Sequence, residues 1–195
     1  LLMGTAFFIW VSIAIVLGVI AAVKRYSLFD QGVTLFSYVF YSLPTFWLGL
    51  ILIYFFAVTL RWLPTQGISD TREFGVFGTP AYWEQFAAQP VANILDIGRH
   101  LVLPIVTLVA VSIAADSRFV RSSMLDTLSQ DYVRTARAKG APRRTVVFKH
   151  AFRNALLPVI TSISLQIAFL FSGAVVTETI FSWPGMGRLY IDGVA

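Results

Sequence analysis

Leu1–Val23, LLMGTAFFIWVSIAIVLGVIAAV, holds no charged side chain over 23 residues. At a rise of 1.5 Å per residue such a helix reaches about 34 Å, enough to cross a hydrocarbon core of roughly 30 Å. The stretch lacks the basic leader of a signal peptide, and its apolar run is longer than the usual 7–15 residues. It therefore reads as a membrane span. Working outward, Ser37–Leu60 lies inside a longer uncharged run, and Ala155–Thr177 is a further 23 residues without a charge. Leu101–Ala115 is shorter, and Asp116 follows it at once. It spans if it runs on to about Val120, with Asp116 and Arg118 near the interface, where long side chains snorkel. The expectation is an all-α, polytopic transmembrane chain with spans at about 1–23, 37–60, 100–121 and 155–177.

Composition agrees. Of 195 residues 57% are hydrophobic and 13% charged, against roughly 45–50% and about 25% in soluble domains. Mean hydropathy is +0.75. Disorder and an ordinary soluble domain are excluded. The 17 Phe, 5 Trp and 7 Tyr suit bilayer interfaces. Cysteine is absent, which removes disulfides, thiolate zinc sites and a cysteine nucleophile. Segments 24–36 and 116–154 together carry eleven basic and four acidic residues, whereas 61–99 and 178–195 carry four basic and six acidic. The positive-inside bias puts the first pair in the cytoplasm and the second outside. The net charge of +5 thus reports topology. Nucleic-acid binding would want these cations on a soluble domain with exposed aromatics, so no nucleic-acid partner is expected. The chain opens inside a span and stops soon after emerging, which suggests a piece of a longer protein with at least one helix missing on each side.

Little here supports catalysis. The first, second and fourth spans contain no Asp, Glu or His of the kind that relays protons, and the third has only Asp116. His100 and His150 fall on opposite sides in this orientation and cannot share a metal. There is no His-Glu-x-x-His, no Gly-x-Ser-x-Gly and no phosphate loop, and Pro184–Gly187 is too short for a dinucleotide fingerprint. No catalytic residue, metal or cofactor is expected, and energy for uphill transport would come from another polypeptide. The polar residues inside the spans are neutral: Ser42, Thr45, Ser112, Thr161, Ser162, Ser164, Gln166 and Ser172. For the serines packing is the stronger reading, since Ser164, Ala168 and Ser172 form a small-residue row, as do Ala14, Gly18 and Ala22. Ser164 and Gln166 are nonetheless the candidates for a translocation path, and Gln166 fits a neutral path lining and an interhelical hydrogen bond equally. Pro44, Pro104 and Pro158 mark kinks or first turns.

The segment 126–154 is the most informative. Asp131–Gly140 reads as a short helix capped by Ser129 or Asp131 and stopped by Gly140 in the left-handed region. Pro142 fits the first turn of a second helix. There Phe148, Phe152, Ala155 and Leu156 make one apolar stripe, with Arg143, Arg144, Lys149 and Arg153 around it. By charge alone this basic hairpin also suits a loop facing lipid headgroups.

The run Asp131-Tyr132-Val133-Arg134-Thr135-Ala136-Arg137-Ala138-Lys139-Gly140 resembles the cytoplasmic motif of ABC-importer permeases in the dipeptide/oligopeptide branch. Arg121-Ser122-Ser123-Met124 before it and Arg153-Asn154-Ala155-Leu156-Leu157-Pro158-Val159-Ile160 after it fit the same branch. So do Ser42–Gly49, Trp62-Leu63-Pro64 and the outer stretch Glu178–Gly187. The broader importer motif is Glu-Ala-Ala, three residues, Gly, nine residues, Ile-x-Leu-Pro. Arg134-Thr135-Ala136 stands at its first triplet, Gly140 matches, and His150-Ala151-Phe152-Arg153 replaces its end. These departures resemble the peptide branch's own version.

The resemblance implies a single transmembrane permease domain over 1–195, with four of six spans present, in a prokaryotic inner membrane. It implies a second homologous permease subunit, two cytosolic ABC ATPases, an extracytoplasmic solute-binding protein, surrounding lipid and a short-peptide substrate, although related permeases carry nickel chelates or sugars. Asp131, Tyr132, Arg134, Thr135, Ala136, Ala138, Lys139 and Gly140 would form the coupling helix seated in an ATPase. Phe181, Pro184, Gly185 and Gly187 would lie where a binding protein docks. In the outer segment 61–99, Trp62 reads as an interfacial anchor, and Phe74, Phe77, Tyr82, Trp83 and Phe86 fit either anchors or a substrate-facing cap. Two rival classes are weaker. A channel or secondary carrier needs a pore charge or coupling-ion site, and an embedded hydrolase needs a catalytic constellation.

Overall fold

The computed structural model describes residues 1–172 and 174–194, and among them every regular element is helical. α1 (Leu2–Val23) covers the first expected span, and no charged side chain interrupts its run. A turn through Tyr26, at φ 64°, leads to α2 (Leu28–Ser42), whose cap Ser27 accepts the Asp30 N–H at 3.3 Å. The expected continuous span 37–60 is broken. Leu43 and Pro44 are extended, with ψ 129° and 131°, before α3 (Thr45–Leu52) begins and runs on as a π-helical turn over Ile53–Thr59. Proline has no N–H to donate and pushes the residue before it out of the helical region, so the break falls where Pro44 stands.

The segment expected to be an outer loop is partly helical. Thr79 caps α4 (Pro80–Ala88), with Pro80 in its first turn. α5 (Pro90–Leu128) is 39 residues long and carries Pro104 inside it. It therefore overruns the expected span 100–121 at both ends. α6 (Asp131–Ala138) follows, then α7 (Arg143–Thr145), which continues through a π-helical turn at Val146–Phe152 into α8 (Arg153–Ser172). The second cytoplasmic helix and the fourth span are thus one helix. The span expected to end at Thr177 stops at Ser172, and Thr177 belongs to α9 (Val175–Ile180), followed by α10 (Met186–Val194). Residues 178–194 are accordingly more helical than a loop. Among the described residues three helices are long and apolar enough to cross a membrane, and α2 with the helix through Thr59 makes a fourth if the broken pair counts as one.

The chain forms two compact units. The first comprises residues 1–6, 44–108 and 170–195, and the second 7–43 and 109–169. In the first, Ala57, Leu103 and Phe181 form a buried core with Leu52, Ile53, Phe56 and Leu63 against it. A side-chain carbon at Gly49 would lie 3.3 Å from the Phe181 ring. In the same unit the Tyr82 hydroxyl donates to Asn93 Oδ1 at 2.9 Å, and burial holds that phenol's pKa above its ordinary value.

In the second unit the core is Val19, Ala22, Val120, Met124, Val147, Ala151, Ala155 and Val159. The small-residue row of α1 explains how α5 approaches so closely. A side-chain carbon at Gly18 would stand 2.6 Å from Val120 Cβ and 2.7 Å from the Ser117 carbonyl, and Ala14 and Ala22 are buried. Ser123 Oγ donates to the Ala155 carbonyl at 2.7 Å, tying α5 to α8. In the other row Ser164 and Ala168 are exposed, and the Ser172 side chain lies outside the described residues. Of the expected stripe, Ala155 lies in the core and Phe152 and Leu156 pack against it, while Phe148 is exposed and Val147, Ala151 and Val159 complete the buried face. The π-helical turn changes the residues per turn and so rotates the apolar face.

Candidate functional site

α6 stands between α5 and α7 as a short helix with most of its surface free. Asp131, Tyr132, Arg134, Thr135, Ala138, Lys139 and Gly140 are exposed, and Ala136 is half-buried. Val133 is fully buried and anchors the helix, which packs on the Val146–Phe152 turn. The expected side-chain cap is absent. Gln130 occupies the cap position without a capping bond, and Ser129 Oγ donates instead to the Asp126 carbonyl at 2.8 Å. Asp131 lies in the first turn, where its charge meets the positive end of the helix dipole.

The far end of α6 closes on a glycine. Gly140 has φ 77°, its N–H donates to the Arg137 carbonyl at 2.9 Å, and the Ala141 N–H donates to the Ala136 carbonyl at 3.2 Å. These two bonds are the Schellman pattern, which closes a helix on a left-handed residue. Pro142 then sits just outside α7, at its cap. The motif residues therefore share one element, and it presents tyrosine, arginine, threonine and lysine side chains outward.

A second cluster was not foreseen as a unit. Asp116 of α5 accepts the Trp10 indole N–H at 3.1 Å on one oxygen and the Gln166 amide N–H at 3.2 Å on the other. One carboxylate thus joins α1, α5 and α8. Gln166 has an interhelical partner, while Ser164 is exposed on the same helix. Nearby, the Arg118 guanidinium lies over the Tyr38 and Tyr41 rings, at 5.4 and 4.8 Å. Arg121 donates through Nη2 to Asp30 at 2.8 Å, and Asp30 also accepts the Tyr26 N–H at 2.9 Å. Trp10 and Asp30 lie about a hundred residues from their partners, beyond the reach of any local pattern. The one readable signal was the presence of a carboxylate in an apolar helix.

The turn Phe181–Gly187 belongs to the first unit. Phe181 is buried in its core, with its carbonyl accepting the Gly67 N–H at 2.8 Å, so it supports the turn from inside. Pro184 is exposed, Gly185 half-buried and Gly187 buried. The organiser is Glu178, which is 2% exposed. Its two oxygens accept the Ala174 N–H at 3.2 Å and the Arg188 N–H at 3.0 Å. A side-chain carbon at Gly185 would overlap that carboxylate, and one at Gly187 would meet Val175 Cα at 2.7 Å. Both glycines therefore mark close approaches. The turn borders a cavity of about 920 Å³ that also meets Gly67, Ser69, Phe77 and Asp192. Among the described residues no group of three or more His, Asp or Glu is placed to hold a metal.

Residues 14–194 match the family described as the inner membrane component of binding-protein-dependent transport systems. The chain is 49% identical to the di/tripeptide transport system permease protein DppB of Pseudomonas aeruginosa, over 91% of the chain and 53% of that protein. It is 43% identical to the oligopeptide transport system permease protein AppB of Bacillus subtilis, over 98% of the chain and 55% of the relative. The dipeptide transport system permease protein DppB of Escherichia coli is 42% identical, over 94% and 55%. The chain spans about half the length of the curated relatives it matches.

Proposed function

The chain belongs to the inner-membrane-component family of binding-protein-dependent transport systems, and from that premise we propose that it acts as a permease importing short peptides at the expense of ATP hydrolysed elsewhere. The substrate class rests on the relatives, which are named as di/tripeptide, dipeptide and oligopeptide permeases. The observation that carries the mechanism is α6. A helix anchored by one buried valine and closed by Gly140, on the side that the charge bias makes cytoplasmic, has the form of a plug for a soluble partner.

In this reading α6 seats in an ATPase through Asp131, Tyr132, Arg134, Thr135, Ala136, Ala138, Lys139 and Gly140. A second homologous permease completes the path, and two ATPases drive it. An external binding protein docks near Pro184, Gly185 and Gly187, with Phe181 and Glu178 holding that turn in shape. Ser164 and Gln166 belong to α8, the helix that leads away from the coupling end, and they are the candidates for contact with the peptide. The chain carries no phosphate loop, so hydrolysis falls to the ATPase.

The test is reconstitution of the full-length permease with its partner permease, ATPases and binding protein in proteoliposomes. Uptake of a labelled dipeptide should require ATP, the ATPases and the binding protein together. Uptake of a sugar or a nickel chelate in preference to any peptide would replace the substrate assignment, and uptake without the ATPases would overturn the mechanism.

A further inference from the structure

The apolar run of α1 ends at Val23, and Lys24 and Arg25 follow at once. Against this end pack α7 and the π-helical turn, and between the two elements lies an open groove of about 300 Å³. Its wall is Val19, Ile20, Val23, Val147 and Phe148, and its rim is Lys24, Arg143 and Arg144. Three observations describe its chemistry. Phe148 is 56% exposed although it is aromatic and sits beside a core. None of the three cations belongs to an ion pair among the described residues. Arg143 donates to the Val23 carbonyl at 3.3 Å, which holds its guanidinium at the mouth of the groove.

The order along α1 matters. From Val19 to Lys24 is five residues, about 7.5 Å of axial rise, so the apolar wall lies at hydrocarbon depth and the cations at the headgroup level. A soluble anion would gain nothing from the wall, and a zwitterionic lipid would gain little from the rim. An amphiphile with a negative head satisfies both, because juxtamembrane cations attract anionic lipid and apolar grooves take up methylenes. We infer that this groove binds an anionic phospholipid, its phosphate against Lys24, Arg143 and Arg144 and the start of an acyl chain along Val19, Ile20, Val23, Val147 and Phe148. The site is independent of the peptide substrate, and it uses cations that lie outside α6.

The test uses the full-length permease in its assembled complex, stripped of lipid and returned to mixed micelles of phosphatidylglycerol and phosphatidylcholine with matched chains. Bound lipid is counted by native mass spectrometry. Phosphatidylglycerol should be retained in preference to phosphatidylcholine. The double variant Lys24→Gln/Arg144→Gln, at two exposed positions, should lower its relative retention about twenty-fivefold, roughly fivefold per cation, with basal ATP hydrolysis unchanged. Arg143 is left intact because it caps α1. Lys149→Gln/Arg153→Gln removes the same charge away from the groove and should change retention by less than twofold. Equal retention of the two lipids would overturn the assignment, as would equal losses in the two double variants. Full displacement of the lipid by millimolar inorganic phosphate would also overturn it, by reducing the site to an anion trap.

Discussion

Gly140 shows how a single residue can be read from sequence and then given a cost. Its left-handed φ of 77° was expected from its place after a short helix, and nothing lies within 4 Å of where a side chain would start. A substitution there meets backbone strain alone, about 1–2 kcal/mol for a residue with a Cβ, and more for a β-branched one. Gly140→Val should therefore leave the spans inserted and the permease at normal membrane level. It should weaken ATPase co-purification severalfold and abolish substrate-stimulated hydrolysis. Thr127→Val, at the end of α5, should do much less. Wild-type ATPase stoichiometry with uptake intact would reject the coupling role of α6. Gly185 and Gly187 are a different kind of glycine, since Glu178 and Val175 fill the space beside them. Nothing local announces that, because the crowding depends on how α9 and the turn fold back.

At the scale of elements, the legible features were those with a local period or a local stop. The uncharged runs, the α1 small-residue row, the α6 helix and the break-prone Pro44 are all of that kind. What escaped was of two sorts. The π-helical turns at Ile53–Thr59 and Val146–Phe152 change the helical period, and a stripe counted at 3.6 residues per turn cannot anticipate them. The cross-helix partners, Asp116 with Trp10 and Gln166 and Asp30 with Arg121, require the tertiary arrangement. The second of these makes a measurable claim. Asp30 is 3% exposed, so Arg121→Gln leaves a buried carboxylate without its cation and should cost about 3 kcal/mol, the low end for such pairs, since Arg121 is partly exposed. Asp30→Asn/Arg121→Gln should be milder than the sum of the single changes by about 1–3 kcal/mol. Denaturant unfolding of the detergent-solubilised permease measures the cycle. Strict additivity would mean that the pair contributes nothing specific.

For the molecule as a whole, orientation is the property most open to a direct check. The chain's three lysines, Lys24, Lys139 and Lys149, all lie in segments that the charge bias assigns to the cytoplasm. An impermeant amine reagent added to intact cells should leave all three unlabelled, Lys24 and Lys139 included, and permeabilisation should expose Lys149, which is on the surface and outside both α6 and the groove. Labelling of either in sealed cells would invert the topology and take α6 away from any cytosolic ATPase. It would also put the lipid groove in the other leaflet, so one experiment bears on both proposals.

The unbroken helix from the cytoplasmic hairpin into the bilayer also has a mechanical consequence. Arg143–Ala168 is 26 residues, a rod of about 39 Å. Pivoting such a rod by about 10° at Arg143 carries its other end through about 7 Å. A loop in the same position would absorb the stroke within a few bonds. The rod departs from regular α-helical hydrogen bonding at two places, the π-helical turn at Val146–Phe152 close to the pivot and Pro158 farther along. Within the proposed importer, a change in the length or stiffness of that π-helical turn would change how far a push at Arg143 moves the far end of the rod, without touching the residues proposed to meet the ATPase or the peptide.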